Sequence, residues 1–123
     1  MKKRILIIDD EVNYGLMIKI NLEQTGEFEA DTATSAIAGY EKIRAQAYDL
    51  IFLDILMPKI EGNVALVEIK KMCQTPVVIM SAYVPPLQKQ AILNAGAQAC
   101  LEKPVPLERL LKLIHEITAH PSA

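Results

Sequence analysis

Four short, uninterrupted apolar runs constrain this chain most: Ile5 to Ile8, Leu50 to Leu53, Val77 to Met80, and a weaker one from Ala99 to Leu101. Runs of this length, rich in β-branched residues, read as strands covered on both faces. A fifth short strand fits near Phe28 to Thr32. Between the runs lie segments of helical period: Val12, Leu16, Ile20; then Ala36, Tyr40, Ile43, Ala47; and, most regular, Leu107, Leu110, Leu111, Ile114, Ile117. About five alternating strand and helix units follow, the pattern that builds a parallel sheet with helices packed on it.

The punctuation agrees. Gly26 and Gly96 fall where helices should end, and Pro106 falls at the start of the last one. With 123 residues, 51% of them hydrophobic and Trp absent, one core built from Ile, Leu, Val, Ala and Met is expected. Residues 1–119 read as one domain and 120–123 as a C-terminal tail or the start of a linker, since Pro121 stops the helix.

A net charge of −2, with basic residues scattered, supplies no field for nucleic acid or an anionic membrane, so direct DNA binding is not expected. The apolar run after Lys2, Lys3 and Arg4 is cut off by Asp9, Asp10 and Glu11, too early for a secretory signal, and no run approaches the roughly 18 residues of a membrane span. A cytoplasmic location is the expectation. Cys73 and Cys100 lack metal-ligand spacing and lie in apolar surroundings, which reads as two reduced thiols in the core.

The polar residues of interest share a position. Asp9 and Asp10 follow Ile8, Asp54 follows Leu53, Ser81 follows Met80, and Lys103 follows Leu101 by two. In a parallel sheet these are carboxyl ends of strands, where open α/β sheets bind ligands. Singly, each has an ordinary reading: Asp10 as a helix cap, Ser81 as a cap or turn hydroxyl, Asp54 as a turn residue, Lys103 as a solvated lysine, Gly62 as a turn glycine. Together, the carboxylates would repel one another unless a cation neutralised them. Oxygen donors without His or Cys imply Mg²⁺ or Mn²⁺ rather than Zn²⁺. Mg²⁺ is readily shared with a phosphoryl group, Lys103 supplies a point charge for its oxygens, and a carboxylate between them is a competent nucleophile.

These residues resemble the receiver domains of bacterial two-component response regulators. The likeness runs from Ile5 to about Ile117, on Asp9-Asp10-Glu11, on Leu53-Asp54-Ile55-Leu56-Met57-Pro58 with Gly62 following, on Ser81-Ala82 and on Lys103-Pro104. It implies a flavodoxin-like fold, a doubly wound five-stranded parallel sheet with helices on both faces. It implies that Asp54 takes a phosphoryl group from a phosphohistidine of a sensor histidine kinase or phosphotransfer protein, and that a downstream partner or output domain reads the result. Asp10, Asp54 and the backbone carbonyl of Leu56 are the metal ligands it implies, with Asp9 holding a metal-bound water. Ser81 and Lys103 are then the groups that turn to the phosphoryl oxygens, and the Lys103-Pro104 bond is implied to be cis. The sequence departs from the family pattern at Cys100, where an aromatic is common, and at Val105. An aspartyl-phosphate phosphatase of the haloacid dehalogenase type would need a second Asp where Leu56 stands. A receiver used only for docking would not require the whole polar set.

Overall fold

The computed structural model describes residues 2–55 and 62–119, with no side-chain description at 62 and 63. Strands β1 (Lys3–Ile8), β2 (Phe28–Ala33), β3 (Leu50–Leu53), β4 (Val77–Ser81) and β5 (Ala99–Glu102) alternate with helices α1 (Val12–Gln24), α2 (Ala36–Ala45), α3 (Gly62–Met72), α4 (Pro86–Asn94) and α5 (Leu107–Ala119). All strand pairs are parallel, in the order β2-β1-β3-β4-β5. This is the expected flavodoxin-like sheet, and every predicted strand is present, extended at its ends by a residue or two in four of the five.

Alternation along each strand divides the core in two. Leu6, Ile8, Ile51, Leu53, Val77 and Ile79 face one side, where they meet Ala36, Ala65, Leu66, Ile69 and Ile92 of α2, α3 and α4. Ile5, Ile7, Leu50, Phe52, Val78 and Met80 face the other, with Ile18 and Leu22 of α1 and Leu110 and Ile114 of α5. Because both faces are covered, β3 and β4 are buried along their whole length and β1 over Ile5 to Ile8, which is why they stand out as apolar runs, whereas the edge strand β2 alternates.

The glycine stops hold. Gly26 and Gly96 have φ of 80° and 113°, a backbone that side-chain-bearing residues rarely adopt. Past α4, the Gly96 N–H donates to the Leu93 carbonyl and the Ala97 N–H to that of Ile92, which satisfies two helix-end carbonyls.

Two helical series differ from expectation. Val12, Leu16 and Ile20 are exposed, and α1 turns Gly15, Ile18 and Leu22 inward instead. At Gly15 a Cβ would stand 3.7 Å from Thr32 Cγ2, so the helix approaches the sheet through a residue that carries no apolar signal. In α2 the helix ends at Ala45, before the expected Ala47. Cys73 and Cys100 are free thiols, half-buried against the core rather than fully inside it. Residues 120–123 and Leu56 lie outside the described residues.

Candidate functional site at the carboxyl edge of the sheet

The strand ladder itself delivers the polar residues to one edge. Just past β1, the Asp9 N–H donates to the Ala33 carbonyl at 2.9 Å. Past β3, the Asp54 N–H donates to the Ile8 carbonyl at 2.9 Å, and past β5 the Lys103 N–H donates to that of Ser81 at 2.8 Å. Asp9 and Asp54 therefore sit side by side where strand order reverses direction about β1, the crevice in which such sheets bind ligands.

Lys103 closes the group. Its Nζ lies 2.6 Å from Asp9 Oδ2, 3.0 Å from Asp54 Oδ2 and 2.9 Å from Glu11 Oε1. The lysine side chain is only 8% exposed and both aspartates are buried, whereas the Glu11 side chain is 61% exposed. The Lys103-Pro104 peptide bond is cis. Ser81, fully buried at the end of β4, directs its Oγ toward the Tyr83 carbonyl at 3.5 Å, the limit of a hydrogen bond.

The electrostatics follow from burial and crowding. Burial pushes the Asp9 carboxyl above its usual range, and the neighbouring Asp54 charge adds to this. The Lys103 ammonium and the Glu11 N–H, which donates to Asp9 Oδ1 at 2.9 Å, pull it back only in part. For Lys103, burial works against the charge, but its contacts with Asp9, Glu11 and Asp54 outweigh it and raise its pKa. The lysine is therefore cationic at any ordinary pH. Among the described residues, three carboxylates around one ammonium leave a negative surplus.

That surplus suits a hard divalent cation. One carboxylate oxygen each from Asp9, Glu11 and Asp54 lie within 4.8 Å of one another. Asp9 Oδ2 is buried, and the partner it has among the described residues is the Lys103 ammonium at 2.6 Å. An all-oxygen set of this kind fits Mg²⁺ or Mn²⁺.

Asp9, Asp54, Ser81 and Lys103 thus share one sheet edge, as their sequence positions suggested. Asp10 is half-buried beside them and makes no side-chain hydrogen bond or ion pair among the described residues. Nor does it cap α1, whose N-cap residue is Glu11. The Leu56 carbonyl lies outside the described residues. Two further residues join the site without having been assigned a part in it. Glu11 does so by its ion pair, and Tyr14 by placing its ring centroid 4.7 Å from Lys103 Nζ. Their spacing of three on the first turn of α1 puts both on one helix face, the signal that could have grouped them.

Comparison with known proteins agrees with this geometry. Residues 5–115 match the family model of the response regulator receiver domain. The chain is 34% identical over 111 residues to the response regulator ArlR of Staphylococcus saprophyticus, covering 90% of this chain and 50% of that protein. It is 31% identical over 114 residues to a transcriptional regulatory protein CpxR homolog of Haemophilus influenzae, covering 93% and 49%. The chain spans about half the length of these curated relatives. A CheY-like receiver domain protein from Methanospirillum hungatei superposes with a TM-score of 0.92 at 32% identity, covering 98% of this chain and 96% of that one. A two-component response regulator from Clostridium difficile gives 0.94 at 29%, covering 99% and 100%. With five parallel strands, the matched span and the acidic edge in agreement, this chain belongs to the receiver-domain family of two-component response regulators.

Proposed function

We propose that the chain is a phosphoacceptor switch in which Asp54 takes a phosphoryl group from a phosphohistidine on a sensor kinase or phosphotransfer protein. The observation that carries this reading is the ammonium of Lys103 held 3.0 Å from Asp54 Oδ2 in a buried, carboxylate-rich edge. A carboxylate oxygen of Asp54 attacks phosphorus, the P–N bond of the donor breaks, and its electron pair leaves with the donor imidazole. Asp54 attacks as a carboxylate, so no general base is needed, and the site works by positioning and charge stabilisation. Mg²⁺ or Mn²⁺, held by the donor set of Asp9, Glu11 and Asp54 with Asp10 and the Leu56 carbonyl as the further ligands the family implies, would neutralise carboxylate and phosphoryl oxygens alike.

Lys103 then donates to one phosphoryl oxygen, and the Ser81 hydroxyl, weakly engaged at 3.5 Å, is free to turn to another. The added charge and acceptor oxygens bias the segment after β4 between two arrangements. A bias of about 1–3 kcal/mol is the usual scale of such coupling. The relatives are about twice as long, which favours an output domain as the reader, with a separate protein partner as the other form of it; a net charge of −2 gives this domain no basic field for nucleic acid. The chemistry on this chain is limited to gaining and losing its own phosphoryl group.

The test is intact-mass measurement after incubation with Mg²⁺ and acetyl phosphate. Wild type gains one phosphoryl group and Asp54→Asn gains none; equal labelling of both contradicts the assignment.

A further inference from the structure

Lys103 is met by an aromatic ring as well as by carboxylates. Its Nζ stands over the Tyr14 ring at 4.7 Å, and the Tyr14 hydroxyl accepts a hydrogen bond from the Val105 N–H at 3.2 Å. A single side chain from α1 thereby touches both the charge of Lys103 and the backbone two residues beyond it. The two contacts join segments about ninety residues apart in sequence.

A lysine ammonium sits on a flexible four-carbon stem and has three donors. Here the carboxylates of Asp9, Glu11 and Asp54 all lie within 3.0 Å of it. A fourth carboxylate would have added to the repulsion already present. An aromatic face instead attracts the cation through its quadrupole, without competing for its donors. The attraction is weakly screened because the lysine is 8% exposed. When one donor must turn to a new oxygen, the exposed Glu11 can yield while the ring contact persists.

We propose that Tyr14 is a positioning residue for Lys103. The ring holds the ammonium against the Asp9 and Asp54 edge, the hydroxyl pins the Lys103 to Val105 segment, and together they set how well Lys103 meets a phosphoryl oxygen on Asp54. The proposal rests on the phosphoacceptor reading and deepens it, by assigning to α1 a part in the placement of the phosphoryl-binding lysine.

Two variants separate ring from hydroxyl: Tyr14→Phe keeps the ring, and Tyr14→Leu removes it. The first readout is the proton shift of the Lys103 ε-methylene in the unphosphorylated protein, which an adjacent ring moves upfield. The second is the rate of labelling by acetyl phosphate with Mg²⁺, followed by mass. Tyr14→Phe is expected to keep the upfield shift and most of the rate. Tyr14→Leu is expected to lose the shift and to label about 5- to 30-fold more slowly, the range from an exposed to a desolvated cation–ring contact. In a Lys103→Ala background, Tyr14→Leu should change the rate no further. A Tyr14→Leu rate equal to wild type overturns the proposal, as does an equal additional loss in the Lys103→Ala background, which marks a general structural effect. If wild type takes no label, the phosphoacceptor reading fails by itself. The methylene shift then still decides whether Tyr14 positions Lys103: its loss in Tyr14→Leu supports the contact, and an unchanged shift overturns it.

Discussion

Lys103 Nζ lies 3.0 Å from Asp54 Oδ2 across 49 residues of sequence, and this contact balances part of the charge that burial makes costly. Removing the cation alone should therefore hurt more than a surface charge change would. Lys103→Ala removes the ammonium that the buried Asp9 and Asp54 share and is expected to cost about 3 kcal/mol in metal-free buffer. Adding Mg²⁺ should raise the urea midpoint of the variant more than that of wild type. Equal midpoints for the two proteins without metal would contradict this.

The Asp9 carboxyl has a folded-state pKa raised above its ordinary 3.8, mainly by burial. The folded protein consequently keeps this proton at pH values where the unfolded chain has released it. The stability due to the group is complete below the unfolded value and is lost as pH rises through the folded one. Asp9→Asn abolishes that loss. In metal-free buffer, the stability of Asp9→Asn relative to wild type should grow as pH rises from about 4 toward neutrality. A difference that stays flat, or shrinks, across that range in urea titrations would count against the burial argument.

Gly39 lets α2 lie against β1. A Cβ there would come 2.5 Å from Ile8 Cδ1 and 2.9 Å from Ile8 Cγ1. Gly39→Ala gains about 1 kcal/mol in helix propensity but overpacks the core by about 1–3 kcal/mol. The net expectation is a destabilisation of about 1 kcal/mol. Ile8→Val in the same protein removes the nearest atom, so the double variant should lose less than the sum of the singles. Additive losses in guanidinium unfolding would place the cost elsewhere.

Ser35 caps α2, its Oγ accepting from the Ala38 N–H at 3.1 Å. Ser35→Ala should cost about 1 kcal/mol by denaturant unfolding. Since the cap lies outside the acidic edge, phosphoryl labelling of the folded variant should match wild type.

The architecture could be read from the sequence because sheet burial on both faces writes itself as apolar runs, and Leu50 to Leu53 is the plainest case. The edge could be read because Asp9, Asp54, Ser81 and Lys103 each end or follow such a run, so their convergence is a consequence of parallel pairing. What α1 contributes was less legible. Val12, Leu16 and Ile20 make the stronger apolar series yet face outward, while the inward face carries Gly15, which adds nothing to hydropathy. The rotation of α1 about its axis, with Gly15, Ile18 and Leu22 turned inward, brings Glu11 and Tyr14 to Lys103. The polar cluster of Tyr48, whose hydroxyl donates to Asp31 Oδ2 at 2.7 Å, was hidden for a similar reason. It depends on the register that sets β1 between β2 and β3.

Asp54, rather than another carboxylate of the edge, is the residue proposed to carry the phosphoryl group. Borohydride reduces an aspartyl phosphate to homoserine, leaving a permanent mark at the acceptor. After treatment with Mg²⁺ and acetyl phosphate, borohydride trapping and peptide mass mapping should show homoserine at position 54 and intact Asp9 and Asp10. Homoserine at position 9 or 10, or unmodified Asp54 in protein that has taken up a phosphoryl group, would contradict it.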